Sequence, residues 1–64
     1  MRGTVTQFDK VVGLGEITGE DGRVVAFHCI AIADGSRDIR LGVDVEFVLT
    51  PKLGRYEAAH VAPI

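Results

Sequence analysis

The residues best suited to chemistry in this sequence are two histidines and a single cysteine. A cysteine nucleophile needs a base within hydrogen-bond reach and a third group that orients the base. His28 and Cys29 are adjacent, and adjacent residues of a strand point to opposite faces, so His28 cannot activate Cys29 there. No further spacing joins these two residues to His60 as ligands of a metal ion. We therefore expect neither a metal nor any other cofactor.

A second chemical possibility is a phosphate-binding loop at Gly13-Leu14-Gly15. Such a loop needs a helix directly after the glycines, because the amide groups of the helix N terminus hold the phosphate. No helical periodicity follows Gly15, and the spacing does not match the dinucleotide fingerprint. Because these elements are missing and a very small domain leaves little room for a substrate cavity, we predict that the chain is not an enzyme.

Short strands must position these residues, since glycines and turn residues punctuate the chain at short intervals. Asp21-Gly22 predicts a hairpin, because both residues suit a turn that needs positive φ. Val43, Val45, Phe47 and Leu49 alternate with Asp44, Glu46 and Val48, which is typical of a half-buried strand. The pattern predicts five strands, the first around Val5 and the others over residues 14–18, 23–29, 43–49 and 56–61.

Five short strands without a helix must cover their edges, and closure into an antiparallel barrel does so. Alternation places Gly15 and Ile17 inside and Glu16 outside. Val5 and Gln7 share strand parity, so strict alternation places them on the same face. The predicted core consists of Val5, Ile17, Val25, Phe27, Ile32, Val45, Phe47, Ala59 and Val61.

Length and composition limit the number of domains, the cross-links and the partners that the chain can have. The 64 residues make a single domain over residues 1–64, and one cysteine excludes an intramolecular disulfide. No apolar stretch is long enough to span a membrane and no signal peptide is evident, so we expect no membrane partner and a cytoplasmic location. The net charge of −2 and the scattered Lys and Arg residues argue mildly against a nucleic-acid partner.

The segments Val12–Thr18 and Val24–Cys29 resemble the paired RNA-binding signatures of the cold-shock domain family. The family pattern reads Lys-Gly-Phe-Gly-Phe-Ile on one strand and Val-Phe-Val-His-Phe on the next. The rest of the chain matches the other strands of the family in the same order. The two signatures retain Gly13, Gly15, Ile17, Val25 and His28. The resemblance implies an all-β fold, a small five-stranded antiparallel barrel of the OB type, whose outer face binds single-stranded RNA or DNA. It also places Gln7 outside while Val5 lies inside, which requires a bulge near Thr6.

In this family the exposed face stacks unpaired bases on aromatic rings, which works for any base because every base has a π face. Among the positions that match this face, Leu14, Glu16, Ala26 and Cys29 replace aromatic residues, and only His28 keeps a ring. The resemblance implies a nucleic-acid-binding set of Gln7, Phe8, Lys10, Leu14, Glu16, Ala26, His28, Arg55 and Tyr56.

Several of these residues have an alternative role. Phe8 could cap the end of the barrel, Tyr56 could pack against a neighbouring strand, and His28 could be an exposed polar residue. The altered face as a whole leaves two functions open. One is weak or altered binding of single-stranded nucleic acid. The other is a protein-interaction or homodimer surface centred on Leu14 and Ala26. This apolar patch is small, so exposure to solvent without any function is a further alternative.

Overall fold

The computed structural model describes all 64 residues and consists of five strands with one short 3-10 turn, Cys29–Ala31. The strands close into a barrel in the order β1-β2-β3-β5-β4, which confirms the predicted all-β barrel of the OB type. The strand bounds are Arg2–Asp9 for β1, Leu14–Gly19 for β2, Val24–His28 for β3, Asp44–Lys52 for β4 and Arg55–Pro63 for β5.

Four of the five strand pairings are antiparallel, as predicted, but the pairing that closes the barrel is parallel. There β3 and β5 meet at a single pair of residues, Ala26 and Glu57. A parallel pairing needs a crossover connection. The chain supplies one, because residues 29–43 and β4 lie between the two strands.

The core contains nine buried apolar residues, eight of which the alternation predicted. The central side chains Phe27, Ile17 and Val45 have no measurable exposure. Burial of a large apolar side chain contributes roughly 1.5–3 kcal/mol, so these residues dominate the stability of so small a domain. The observed core is Val5, Ile17, Val25, Phe27, Ile32, Val45, Phe47, Ala58 and Val61.

A bulge in β5 explains why Ala58, and not the predicted Ala59, lies in the core. The register between β4 and β5 shifts by one residue opposite Phe47. His60 lies at the shift and has a φ of 52°. The extra residue breaks strict alternation, so Ala58 and Val61 both point inward while Ala59 is only half-buried.

The bulge predicted near Thr6 in β1 is confirmed. Val5 pairs with Ile17 and Gln7 pairs with Glu16, which leaves Thr6 as the extra residue. Val5 consequently points into the core, where it is 1% exposed, and Gln7 is on the surface.

The hairpin between β2 and β3 depends on the backbone conformation of Gly22. Gly22 has a φ of 88°, and a Cβ built there would meet no atom within 4 Å. The penalty of Gly22→Val is therefore conformational, and we expect a loss of about 1–2 kcal/mol in the free energy of unfolding. Urea denaturation followed by circular dichroism would measure this loss.

Asp21→Asn is the matched control for Gly22→Val. The Asp21 Oδ1 atom accepts a hydrogen bond from the backbone N–H of Arg23 at 3.0 Å. An asparagine keeps an acceptor at the same position, so we expect almost no change in stability. Equal effects of the two substitutions would contradict the assignment of this turn.

Candidate functional site

An open groove of about 540 Å³ crosses the outer face of β1, β2 and β3 and reaches the start of β5. Its walls come from strands that are fixed by the barrel, so the outward side chains have defined positions. Seven of the nine residues predicted from the sequence line it, namely Gln7, Phe8, Leu14, Glu16, Ala26, His28 and Arg55.

One line of paired residues runs across the middle of the groove from strand to strand. Gln7 of β1 pairs with Glu16 of β2, Glu16 pairs with Ala26 of β3, and Ala26 pairs with Glu57 of β5. We call these four residues the central row. Because paired residues of neighbouring strands share a face, the row presents an amide, a carboxylate, a methyl group and a second carboxylate side by side.

Exposed aliphatic side chains form part of the groove lining. Leu14 is 44% exposed, and Val12 and Leu41 are both 63% exposed. Leu14 pairs with Asp9 of β1 on one side and with His28 of β3 on the other, and the side chain of His28 is 52% exposed. Leu14 therefore lies between a carboxylate and one accessible ring.

Phe8 has a packing role at the edge of the groove. It is half-buried, and its ring stacks on the buried ring of Phe27 with 5.9 Å between centroids and 2° between planes. The stack crosses β2 over Gly15, where a Cβ would lie 2.6 Å from Phe27 Cζ and 2.8 Å from the carbonyl oxygen of Gln7. These contacts favour the barrel-capping role, although part of Phe8 still lines the groove.

Carboxylates dominate the charge of the groove. The side chain of Glu57 is 10% exposed, and its Oε2 atom accepts a hydrogen bond from Arg55 Nη2 at 3.0 Å. Arg55 is the only Lys or Arg in the lining, against Asp9, Glu16 and Glu57. Since Arg55 is already paired, the groove has little positive charge to offer a phosphate.

Comparison with protein families identifies this architecture. The family model described as 'Cold-shock' DNA-binding domain matches residues 1–64. The chain belongs to the cold-shock domain family. Cold-shock domains are nucleic-acid-binding, non-enzymatic domains, and the groove lies on the strands that carry the two signatures of the family. A search of the curated proteins found no match. No helix in this cold-shock domain is long and apolar enough to cross a membrane.

Two residues of the set that the cold-shock resemblance implied lie outside the groove. Lys10 follows β1, and its Nζ atom forms an ion pair with Asp38 Oδ2 at 3.1 Å. Tyr56 is 63% exposed and pairs with Pro51 of β4. Its side chain lines a neighbouring depression, to which Glu16, Ala26 and Arg55 of the groove also contribute.

Glu57 is the main groove residue that the sequence reasoning missed. Alternation gave one signal, because Glu57 shares strand parity with the predicted residue Arg55. The parallel pairing with Ala26, which carries Glu57 into the central row, has no signature in the sequence. The other lining residues outside the predicted set are Thr6, Asp9, Val12, Gly15, Phe27 and Leu41.

Proposed function

We propose that this cold-shock domain binds single-stranded RNA or DNA weakly, along the groove over β1, β2 and β3. The observation that carries the proposal is the central row, which brings Gln7, Glu16 and Ala26 of three successive strands onto one open face. These positions correspond to the base-binding face of the family. A cytoplasmic location stays a prediction.

The side chains of the groove explain why binding should be weak. Each stack of a base on an aromatic ring contributes roughly 1–3 kcal/mol, and three platform positions hold Leu14, Glu16 and Ala26. The ring of Phe8 is partly used by its contact with Phe27. His28 remains as the accessible ring, with the aliphatic surface of Leu14 beside it.

The dependence on salt tests this proposal. A protein that contacts few phosphates releases few counterions, and the slope for single strands is about −0.7 per phosphate on a log–log scale. Arg55 is the only Lys or Arg in the groove and is paired with Glu57, so we expect a slope no steeper than that of one contact. Fluorescence anisotropy with short single-stranded DNA and RNA over a range of salt would measure it. Failure of every oligonucleotide to bind at low salt and high protein concentration would overturn the proposal.

Glu16→Gln should strengthen binding modestly. Glu16 forms no ion pair, so its charge acts unopposed on a strand in the groove. Two unit charges about 7 Å apart in water interact with about 0.6 kcal/mol, which corresponds to about a threefold change in affinity. Glu20→Gln makes the same charge change in the exposed hairpin and is the control. Equal gains from both variants would show that only the net charge matters.

A second candidate function is a protein-interaction or self-association surface. The exposed aliphatic side chains of Val12, Leu14 and Leu41 favour it, because they line one groove and exposed apolar surface can mark a contact site. In that case the wild type would not bind nucleic acid. Leu14→Asp or Ala26→Asp would then abolish self-association or partner capture, measured by analytical ultracentrifugation or pull-down, while circular dichroism stayed unchanged.

A further inference from the structure

Glu57 combines burial with an unused hydrogen-bond acceptor. The residue is 7% exposed, the lowest value among the charged residues. Arg55 holds one carboxylate oxygen, Oε2, at 3.0 Å. The other oxygen, Oε1, accepts no hydrogen bond within the protein, and His28 Nε2 lies 3.9 Å from it. Because no fully buried side-chain oxygen lacks a hydrogen-bond partner, Oε1 must keep some exposure to solvent.

The position of Glu57 makes this oxygen available to a ligand in the groove. Glu57 pairs with Ala26, and both line the groove. Ala26 has the smallest side chain of the central row, so its position leaves more room for a base than those of Glu16 on one side and Glu57 on the other. Strands lie about 4.8 Å apart, so the backbones of β2 and β5 are separated by about 10 Å across Ala26.

The chemistry of a carboxylate restricts which base edge can approach it. An ionised carboxylate only accepts hydrogen bonds, through two oxygens with about four lone-pair sites. Oε2 can therefore accept a further bond beside the one from Arg55. Guanine presents two adjacent donors, N1–H and the exocyclic amino group. Thymine and uracil present one N–H between two carbonyl oxygens, which a carboxylate repels. Cytosine and adenine each present one amino group beside a ring acceptor.

We infer that Glu57 is a specificity residue that makes this groove prefer guanine among the unpaired bases. The inference rests on the proposed binding of single strands and adds the base that is selected. Arg55 positions the carboxylate, Ala26 provides the space, and Glu57 accepts the two N–H groups of the guanine edge. A good bidentate contact corresponds to about a tenfold to hundredfold preference over a base that cannot make it.

The experiment compares short oligothymidines that differ at one central position. Fluorescence anisotropy at low salt would give the affinity with guanine, hypoxanthine, cytosine, adenine or thymine at that position. We expect guanine to bind about tenfold or more tighter than thymine. Hypoxanthine should bind at an intermediate level, because it keeps N1–H and lacks the amino group. A single guanine in each strand avoids the association of guanine-rich DNA.

Glu57→Gln tests the residue itself. The amide is nearly isosteric, but one of its two oxygens is replaced by a donor, so we expect the ratio of guanine to thymine affinity to fall close to one. The same change frees Arg55, which should raise the affinity for all strands together. The ratio and the overall affinity therefore report separate effects. Glu20→Gln in the exposed hairpin should leave the ratio unchanged.

The outcomes separate this inference from the proposed function. Binding of all strands with equal affinity would overturn the preference for guanine and leave the binding of single strands intact. A guanine preference that survives in Glu57→Gln would also overturn the role of Glu57. Absence of binding by any strand would overturn the proposed function and this inference with it. Capture of a lysine-rich peptide by the wild type, in the absence of any oligonucleotide binding, would assign the carboxylates to a protein partner.

Discussion

Introducing phenylalanines at Leu14, Glu16 and Ala26 together should raise the affinity for single-stranded nucleic acid by about 10² to 10⁶-fold. Three base–aromatic stacks contribute roughly 3–9 kcal/mol if they are additive, and this range gives the expected factor. The three side chains point away from the core, and each lines the groove. New rings would therefore lie on the open face without entering the barrel. Anisotropy titrations with an oligothymidine would measure the gain.

The control for the triple variant is Glu16→Leu combined with Ala26→Leu, in which Leu14 is kept. This protein has lost the same negative charge and has gained apolar surface, but it has no new ring. We expect it to gain much less affinity than the triple phenylalanine variant. If the triple variant folds and binds no better than the leucine control, the argument that this face is a base-stacking platform fails.

Phe47→Ala should be the most destabilising of the substitutions considered. Phe47 is 2% exposed and lies in the core, opposite the bulge of β5. Truncation of a buried phenylalanine costs about 3–5 kcal/mol, because apolar contacts are lost and a cavity remains. The free energy of unfolding of a domain this small is of similar size. We therefore expect a largely unfolded protein in the absence of denaturant, detected by circular dichroism.

The next residue along β4 provides the control for Phe47. Val48 is 47% exposed and faces outward. Val48→Ala removes apolar atoms from the same strand without opening a cavity, so we expect a change within about 0.5 kcal/mol. A Phe47→Ala protein that unfolds at the same urea concentration as the wild type would contradict the assigned core.

The core could be predicted from sequence wherever the strands alternate regularly. Val25 and Phe27 in β3 are examples, since a period of two fixes which residues face inward. The prediction was wrong for Ala59, because the bulge at His60 changes the parity within β5. The bulge at Thr6 could be predicted only from the family resemblance, which places Gln7 outside although it shares strand parity with Val5.

The groove was harder to predict, because it depends on contacts between distant parts of the chain. Lys10 is paired with Asp38, a residue 28 positions away in a loop. Glu57 lies at the centre of the groove because β5 pairs with β3, and no turn residue or residue spacing in the sequence predicts that pairing. Local alternation gives the face on which a side chain lies, but not its neighbours across a parallel pairing.

Because β3 and β5 are joined by a single residue pair, the barrel should open locally between these two strands. Local opening occurs where few interactions must break, and this seam has one strand pair, at Ala26 and Glu57, with a bridge between Ile32 and Val61 beyond it. The backbone amides beside the seam should therefore exchange with deuterated water before those of the β1–β2 ladder. A ligand in the groove spans the seam, so its binding should slow this exchange and couple occupancy of the groove to closure of the barrel.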